Sequence, residues 1–220
     1  MPIHENTVSA EKQMINSNEV SFLGDPKAPV RVLILGNSIT RHGPKADIGW
    51  HGDWGMAASA KEKDYVHRFY AMLKASGRDV FIRIRQSAYW ERHFWEADCL
   101  SRFADDREFG ADIVIYRLGD NVTEENAAGY EEAVKQFMDY LGAKPGSTIF
   151  STCWWDRPDL DEPIRRIAKA RGDVCAETVC TDPATMKAYG KFEHGGVSAH
   201  PGDLGMEMIA QKLFVAFVSL

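Results

Sequence analysis

The amino-acid sequence predicts a three-layer α/β/α sandwich with a mostly parallel five-stranded sheet. Short apolar, β-branched segments alternate with amphipathic helical segments, and neither an internal repeat nor a Pro/Ser-rich linker interrupts the 220 residues. A strand, a helix and a parallel strand in succession form a right-handed crossover, so this alternation places helices on both faces of one sheet. The length suits a single domain over residues 1–220, with residues 1–28 as an N-terminal arm or irregular lead-in.

Five segments are predicted as strands because each is short and rich in β-branched or large apolar residues. Strands that are covered on both faces typically have this composition. In chain order the segments are Val30–Gly36, Val80–Arg85, Asp112–Leu118, Thr148–Cys153 and Val174–Val179.

Three segments carry apolar residues three or four positions apart, which is typical of the buried face of a helix. These apolar residues are Tyr65, Phe69, Met72 and Leu73, then Tyr130, Val134, Phe137 and Leu141, and finally Met206, Ile209, Leu213 and Phe217. The last segment opens at Pro201, and proline is favoured at the first position of a helix. The long irregular stretch Arg41–Ala60 is a loop whose aromatic content argues against disorder, and whether it is a lid stays open.

Composition and sequence motifs argue against several classes of binding partner for this protein. The net charge is −6 and the basic residues are scattered, so the chain lacks the electrostatic footprint of a nucleic-acid-binding protein. No apolar run is long enough for a signal peptide or a membrane span, which predicts a soluble, cytoplasmic protein unless a signal peptide has been removed. Neither His/Cys ligand spacing nor a Gly-rich phosphate loop is present, so no metal or nucleotide site is expected. The oligomeric state stays open.

Three polar residues follow predicted strands or precede the last helix, where ligands of open α/β sheets bind. Ser38 follows the first strand in the stretch LILGNSIT, Asn121 follows the third strand, and His200 directly precedes Pro201. Taken singly, the serine could cap a turn, the asparagine could be a turn residue, and the histidine could be an N-cap. Together they supply what acyl transfer needs: a hydroxyl nucleophile, a base that is neutral near pH 7, and an amide donor for the oxyanion.

The same residues resemble the SGNH hydrolases, also called GDSL esterases. Gly36-Asn37-Ser38 matches the first family block except for Asn in place of Asp, Gly119-Asp120-Asn121 matches the third block, and His200-Pro201 matches the end of the last block. The resemblance implies a flavodoxin-like sandwich and a Ser38 nucleophile with His200 as base. It also implies hydrolysis of short acyl esters, frequently acetyl esters on carbohydrates, without a metal or organic cofactor.

The sequence departs from the family in two blocks. The triad aspartate should lie three residues before the histidine, where this chain has Val197. A backbone carbonyl in the Gly195–Ser198 turn is the preferred substitute for orienting His200, with Glu193 and Asp203 as the other candidates. The second block lacks its glycine, so a backbone N–H of Ser87 or Ala88 is expected to join those of Ser38 and the Asn121 amide in the oxyanion hole.

Tryptophans near strand ends and in the long loop are candidates for a rim on which a sugar stacks, with core packing equally open. The candidates are Trp50, Trp54, Trp90 and Trp154. The predicted function is a serine esterase that removes short acyl groups, chiefly acetyl, from a carbohydrate or another small polar ester. A carbohydrate-binding protein that keeps the sandwich but has lost efficient turnover is the alternative, and action on longer acyl chains is a third possibility.

Overall fold

A six-stranded sheet organises the computed structural model, which describes residues 19–220. The strands are β1 (Val20–Leu23), β2 (Val30–Gly36), β3 (Val80–Gln86), β4 (Ile113–Arg117), β5 (Thr148–Ser151) and β6 (Val174–Ala176). Their spatial order is β1-β3-β2-β4-β5-β6, and every pairing is parallel except that of β1 with β3. The five parallel strands, β2 to β6, have the flavodoxin-like order 2-1-3-4-5, which confirms the predicted fold class.

The sheet has one strand more than predicted. Strand β1 lies in the segment that was predicted to be irregular, and it pairs antiparallel with β3 from Val20 opposite Arg85 to Leu23 opposite Ile82. It has only four residues, and Phe22 is 49% exposed, so its apolar pattern is too short and too solvated to be recognised in the sequence. Residues 1–18 of the predicted lead-in lie outside the described residues.

Helices cover both faces of the sheet. The α-helices are Tyr65–Ala75, Ala88–His93, Ala104–Phe109, Ala127–Leu141, Pro158–Arg171, Pro183–Met186, Gly195–Ser198 and Asp203–Val218, and short 3-10 turns lie at Ala46–Ile48, Lys61–Lys63, Cys99–Phe103 and Glu124–Asn126. Asp64 caps the first helix by accepting a 2.8 Å hydrogen bond from the His67 N–H. The C-terminal helix begins at Asp203, two residues later than predicted.

Alternate residues of β2 enter two separate cores. Val32 and Ile34 pack with the Tyr65–Ala75 and Asp203–Val218 helices, whereas Leu33 and Leu35 face the helices on the opposite side. Full burial of an aliphatic side chain contributes about 1.5–3 kcal/mol, so a strand buried on both faces is strongly held in register. This register determines where the residues after Gly36 emerge from the sheet.

The Arg41–Ala60 loop packs against the segment that precedes the C-terminal helix. Two backbone contacts brace the loop, from His42 N to Trp54 O at 2.9 Å and from Lys45 N to Trp50 O at 2.7 Å. Its apolar side chains Ile48, Trp50, Met56 and Ala57 form a small third cluster with Ala188 and Val197 of that segment. Within residues 19–220, each helix is too short or too polar to span a bilayer.

Candidate active site

Ser38 lies just beyond the carboxyl end of β2, in a turn closed by hydrogen bonds from the N–H groups of Thr40 and Arg41 to the Asn37 carbonyl. Glycine is required at position 36 because a Cβ there would collide with the Thr40 side chain. Ser38 is half-buried, and its Oγ lies 2.8 Å from His200 Nε2. The strand end thus presents the hydroxyl directly to an imidazole that is 162 residues away in the chain.

The imidazole of His200 is oriented by a backbone carbonyl. Its Nδ1 lies 2.6 Å from the Gly196 carbonyl oxygen, in the short Gly195–Ser198 helix, and the backbone N–H of His200 donates to Val197 O at 3.0 Å. A carbonyl only accepts, so Nδ1 carries the proton of the neutral ring and Nε2 is left as the acceptor for the Ser38 hydroxyl. The His200 ring is also nearly perpendicular to the Trp155 ring, with the ring centroids 5.3 Å apart.

The environment of His200 favours the neutral ring. Burial, reinforced by His42, lowers the pKa of His200 to about 4, although the Gly196 carbonyl and Asp120 act in the opposite direction. A neutral imidazole at pH 7 is the form that can accept a proton.

Neither of the two carboxylates considered for the missing triad position orients His200. Asp203 begins the C-terminal helix and accepts hydrogen bonds from Ser59 N at 2.8 Å, Ser59 Oγ at 2.7 Å and Lys63 Nζ at 3.1 Å, while Glu193 is exposed. Val197, at the family's aspartate position, is buried in the apolar cluster beneath the Arg41–Ala60 loop. The local turn therefore supplies a carbonyl where the family has a carboxylate.

Asn121 is held from both sides of its amide group. Its Nδ2 donates to Glu91 Oε2 at 2.6 Å, and its Oδ1 accepts from Arg92 Nη2 at 2.8 Å. These contacts set the direction of the amide, and Nδ2 retains a second N–H beyond the one given to Glu91. Sequence reasoning missed Glu91, a fully buried residue of the Ala88–His93 helix.

Glu91 joins two strand ends through hydrogen bonds to its other carboxylate oxygen. Oε1 accepts from Gly119 N at 2.6 Å, from Asn37 Nδ2 at 3.1 Å and from Asn121 N at 3.3 Å. Burial and the nearby Asp120 carboxylate raise the pKa of Glu91, whereas these N–H donors oppose that change. The only signal in the sequence was an acidic residue directly after the apolar residues Ala88, Tyr89 and Trp90.

A second buried carboxylate, Asp120, completes the network between β2, β4 and β5. Its Oδ2 accepts from Arg117 Nη1 at 2.8 Å and from Asn37 Nδ2 at 3.0 Å, and its Oδ1 accepts from Trp154 N at 2.7 Å. Arg117 also donates to Asn37 Oδ1 at 3.2 Å. Asn37, the family's aspartate in the first block, is thus both a donor and an acceptor between two acids and an arginine.

The predicted oxyanion donors divide into available and occupied groups. Among the described residues, the Ser38 N–H has no protein acceptor. The Ser87 prediction is wrong, because its N–H donates to Gly36 O at 2.6 Å and so extends the ladder between β2 and β3. The N–H of Ala88 is likewise occupied, by Gln86 Oε1 at 3.1 Å.

The predicted tryptophan rim is mostly wrong, because three of its four members are buried in the cores. Trp90 stacks on Phe137 at 5.1 Å, Trp50 lies in the third cluster, and Trp154 lies beneath the C-terminal helix. Trp54 is half-buried, with its Nε1 donating to Ala58 O at 3.0 Å.

Two other tryptophans lie closer to the places where a ligand could bind. Trp155 is half-buried against the His200 ring, and Trp95 is 53% exposed beside the Asn121 loop. Burial depends on tertiary packing, so neighbouring sequence did not separate these residues from the core tryptophans. Residues 19–220 contain no group of three or more His, Cys, Asp or Glu side chains placed to hold a metal ion.

Comparison with known proteins adds structural neighbours but no sequence relatives. No family model matches the chain, and no curated protein matches it. Among solved structures, LAE5, an α/β hydrolase enzyme from the metagenome of Lake Arreo, Spain, superposes with a TM-score of 0.55 at 18% identity, covering 86% of this chain and 95% of that one.

Two esterase structures give similar values. Axe2, an acetylxylan esterase from Geobacillus stearothermophilus, has a TM-score of 0.55 at 16% identity over 86% of this chain and 94% of its own. EstA, a psychrotrophic esterase from Pseudoalteromonas sp., has a TM-score of 0.54 at 13% identity over 86% and 97%. At these identities the likeness establishes a shared fold.

Proposed function

We propose that this protein is a serine ester hydrolase of the SGNH type that removes short acyl groups, chiefly acetyl, from a carbohydrate. The observation that carries the proposal is the relay from Ser38 Oγ to His200 Nε2 at 2.8 Å and from His200 Nδ1 to the Gly196 carbonyl at 2.6 Å. A nucleophile next to a base that is itself oriented by a third group is the general arrangement of nucleophilic catalysis.

The reaction follows from these contacts. Ser38 Oγ attacks the ester carbonyl carbon while its proton passes to Nε2 of His200, and the resulting imidazolium keeps its Nδ1–H on the Gly196 carbonyl. Collapse of the tetrahedral intermediate breaks the bond to the alcohol, which takes the proton from Nε2. Water, activated by the same nitrogen, then hydrolyses the acyl-serine and restores the free hydroxyl.

The oxyanion is assigned to the Ser38 N–H and the second N–H of Asn121 Nδ2. Donors that are already oriented do not reorganise as charge develops, and loss of one typically costs about 10²–10³ in rate. Glu91 and Arg92 hold the Asn121 amide in one orientation, which supports this role. The network around Glu91 is thus a positioning element and not part of the proton relay.

The acetyl and carbohydrate assignments rest on similarity in motif and fold. The three motif blocks resemble a family that often hydrolyses acetyl esters of carbohydrates, and one structural neighbour is an acetylxylan esterase. The proposed substrate class is therefore a small acylated saccharide, for which no cofactor is needed.

Hydrolysis of p-nitrophenyl acetate and of acetylated oligosaccharides by the purified protein tests the proposal, with Ser38→Ala as the reference. We expect turnover in the parent protein and a loss of about 10³-fold or more in the variant, because the nucleophile is absent. Covalent labelling by a fluorophosphonate should likewise require Ser38. Equal rates in parent and variant would remove Ser38 from the mechanism.

A second candidate function, carbohydrate binding with little turnover, is favoured by one specific observation. The Ser87 and Ala88 N–H groups are both occupied, so the oxyanion site lacks the donor expected from the second block. A protein of this kind would bind acetylated oligosaccharides but would not react with fluorophosphonate. Labelling at Ser38 therefore decides between the two functions.

A further inference from the structure

An open cleft of about 530 Å³ lies next to the Asn121 loop. Its walls come from the end of the Ala88–His93 helix and from the turn after β4, and include Arg92, His93, Trp95, Asp120, Asn121 and Thr123. A concave site of this size with a few polar groups is typical of small-ligand sites.

Trp95 gives the cleft an exposed aromatic surface. The side chain is 53% exposed, and its contacts are edge-to-face with Phe94 at 5.2 Å and tilted toward His93 at 6.1 Å. Tryptophan is usually well buried, and its large apolar face is stabilised when a ligand covers it.

The segment that carries Trp95 is held in place before any ligand binds. Glu96 accepts hydrogen bonds from the Tyr89 hydroxyl and from His93 Nδ1, both at 2.9 Å, and its N–H donates to His93 O at 2.9 Å. The Arg102 guanidinium lies over the Tyr89 ring at 3.9 Å. A surface that is already ordered loses less conformational entropy on binding.

The cleft is joined to the reaction centre through two residues that belong to both. Asp120 and Asn121 line the cleft, and Asp120 accepts a hydrogen bond from Asn37, the residue before Ser38. A molecule in the cleft would therefore lie beside Asn121, the proposed oxyanion donor.

The charge of the cleft selects against anionic ligands. Three carboxylates line it, those of Glu91, Glu96 and Asp120, against one guanidinium, that of Arg92. The whole chain also has a net charge of −6, so an acidic ligand would approach against repulsion. An uncharged ligand that presents a C–H face to tryptophan and hydroxyls to polar groups fits this surface best.

We propose that this cleft is the binding subsite for the neutral sugar of the acylated substrate, with Trp95 as the residue on which a sugar ring stacks. The proposal rests on the proposed esterase function for the reaction at Ser38, but sugar binding is measurable without turnover. It accounts for a tryptophan that is 53% exposed in the cleft beside Asn121.

Calorimetric binding to the Ser38→Ala protein is the first test, with xylotetraose and mannotetraose as neutral probes and tetragalacturonate as the acidic probe. At least one neutral probe should bind more tightly than the acidic one. Adding Trp95→Ala should weaken that binding about tenfold, the scale of a central aromatic contact. Phe22→Ala on the remote edge strand, which removes an aromatic that is 49% exposed, should leave it unchanged. Absence of binding to both neutral probes, or equal affinity with and without Trp95, overturns the proposal.

Steady-state kinetics separate this proposal from the esterase function. In Trp95→Ala, KM for acetylated tetrasaccharide should rise about tenfold, with a much smaller effect on p-nitrophenyl acetate, which has no sugar to stack. Hydrolysis of both esters with the same KM in parent and variant would disprove the subsite while leaving the esterase intact. Binding that requires Trp95 in a protein that hydrolyses neither ester would establish the subsite and refute the esterase.

Discussion

The two sides of the Ser38 hydroxyl are built differently. On one side, His200 is oriented by Gly196, which lies four residues earlier in the same turn. On the other side, Glu91 receives four hydrogen bonds from Asn37, Gly119 and Asn121, which belong to the ends of two strands. The proposed base is held locally, whereas the proposed oxyanion side is held by contacts between distant parts of the chain.

The contrast shows that the buried carboxylates of this site lie in a different position from the triad aspartate that the SGNH resemblance implies. Position 197 has no carboxylate beside the His200 imidazole. Two carboxylates, Glu91 and Asp120, are instead buried on the Asn121 side of the site. Arg117 pairs with Asp120 at 2.8 Å and Arg92 contacts Asn121 at 2.8 Å, so each acid lies near a guanidinium or several N–H donors. A buried ion pair is weak evidence for stability, so we propose that these acids act mainly by positioning the groups around them.

Removal of the base should have the largest effect. His200→Gln is expected to lower kcat/KM by about 10³-fold or more, because Ser38 loses its proton acceptor. The Glu91 network does not involve this side chain, so thermal unfolding should change little. His51→Gln, in an exposed position of the Arg41–Ala60 loop, is the control. A loss below tenfold would show that another group takes the proton.

Disruption of the hydrogen bonds around Glu91 should have the second largest effect on the rate. Glu91→Gln replaces an acceptor with an NH₂ group that must face the Asn121 amide or the Gly119 N–H, both donors. We expect kcat to fall about 10²-fold, as for a displaced oxyanion donor, and the free energy of unfolding to fall by about 2–3 kcal/mol. Kinetics and urea unfolding measure the two effects, with exposed Glu108→Gln as control. Unchanged kcat in a destabilised protein would make Glu91 purely structural.

Introducing the aspartate of the SGNH pattern should not create a triad. The Val197 side chain packs with Trp50 and Ala188, so Val197→Asp places a charge in an apolar cluster. The free energy of unfolding should fall by about 3 kcal/mol without a gain in kcat. Val197→Asn is the control, because asparagine has nearly the shape of aspartate but carries no charge. A rise in kcat for the aspartate variant alone would mean that the turn rearranges to orient His200.

The smallest expected effect is on the pH dependence of kcat/KM, whose acidic limb should lie at a lower pH than the pKa of a free histidine would give. In the proposed mechanism the neutral imidazole is the active form, so we expect activity above the pKa of His200 and its loss as pH falls through that pKa. Because burial lowers that pKa to about 4, the limb should lie near pH 4 and not near 6.5, the value for a free histidine. Rates on p-nitrophenyl acetate between pH 3.5 and 8 measure it. A limb at pH 6.5 would mean that the ring is solvated in the working enzyme.

The contrast between local and long-range contacts also explains what the sequence could predict. Strand Val30–Gly36 is observed at its predicted bounds, because a run of apolar β-branched residues ending in glycine is a local signal. The Ser87 N–H could not be judged in this way, since its availability depends on the register that places Ser87 beside Gly36. Burial of Trp90 and Trp154 likewise depends on helices far along the chain.

The Gly196 carbonyl has a consequence for how such proteins are recognised in genomes. A pattern that demands aspartate three residues before the histidine rejects this chain, although a main-chain oxygen contacts the imidazole nitrogen that the acid would face. Every residue type has a backbone carbonyl, so this arrangement leaves no side-chain signature. Under the proposed function, a search that requires the aspartate would miss this chain, whereas its other motif blocks and its backbone shape still point to the family.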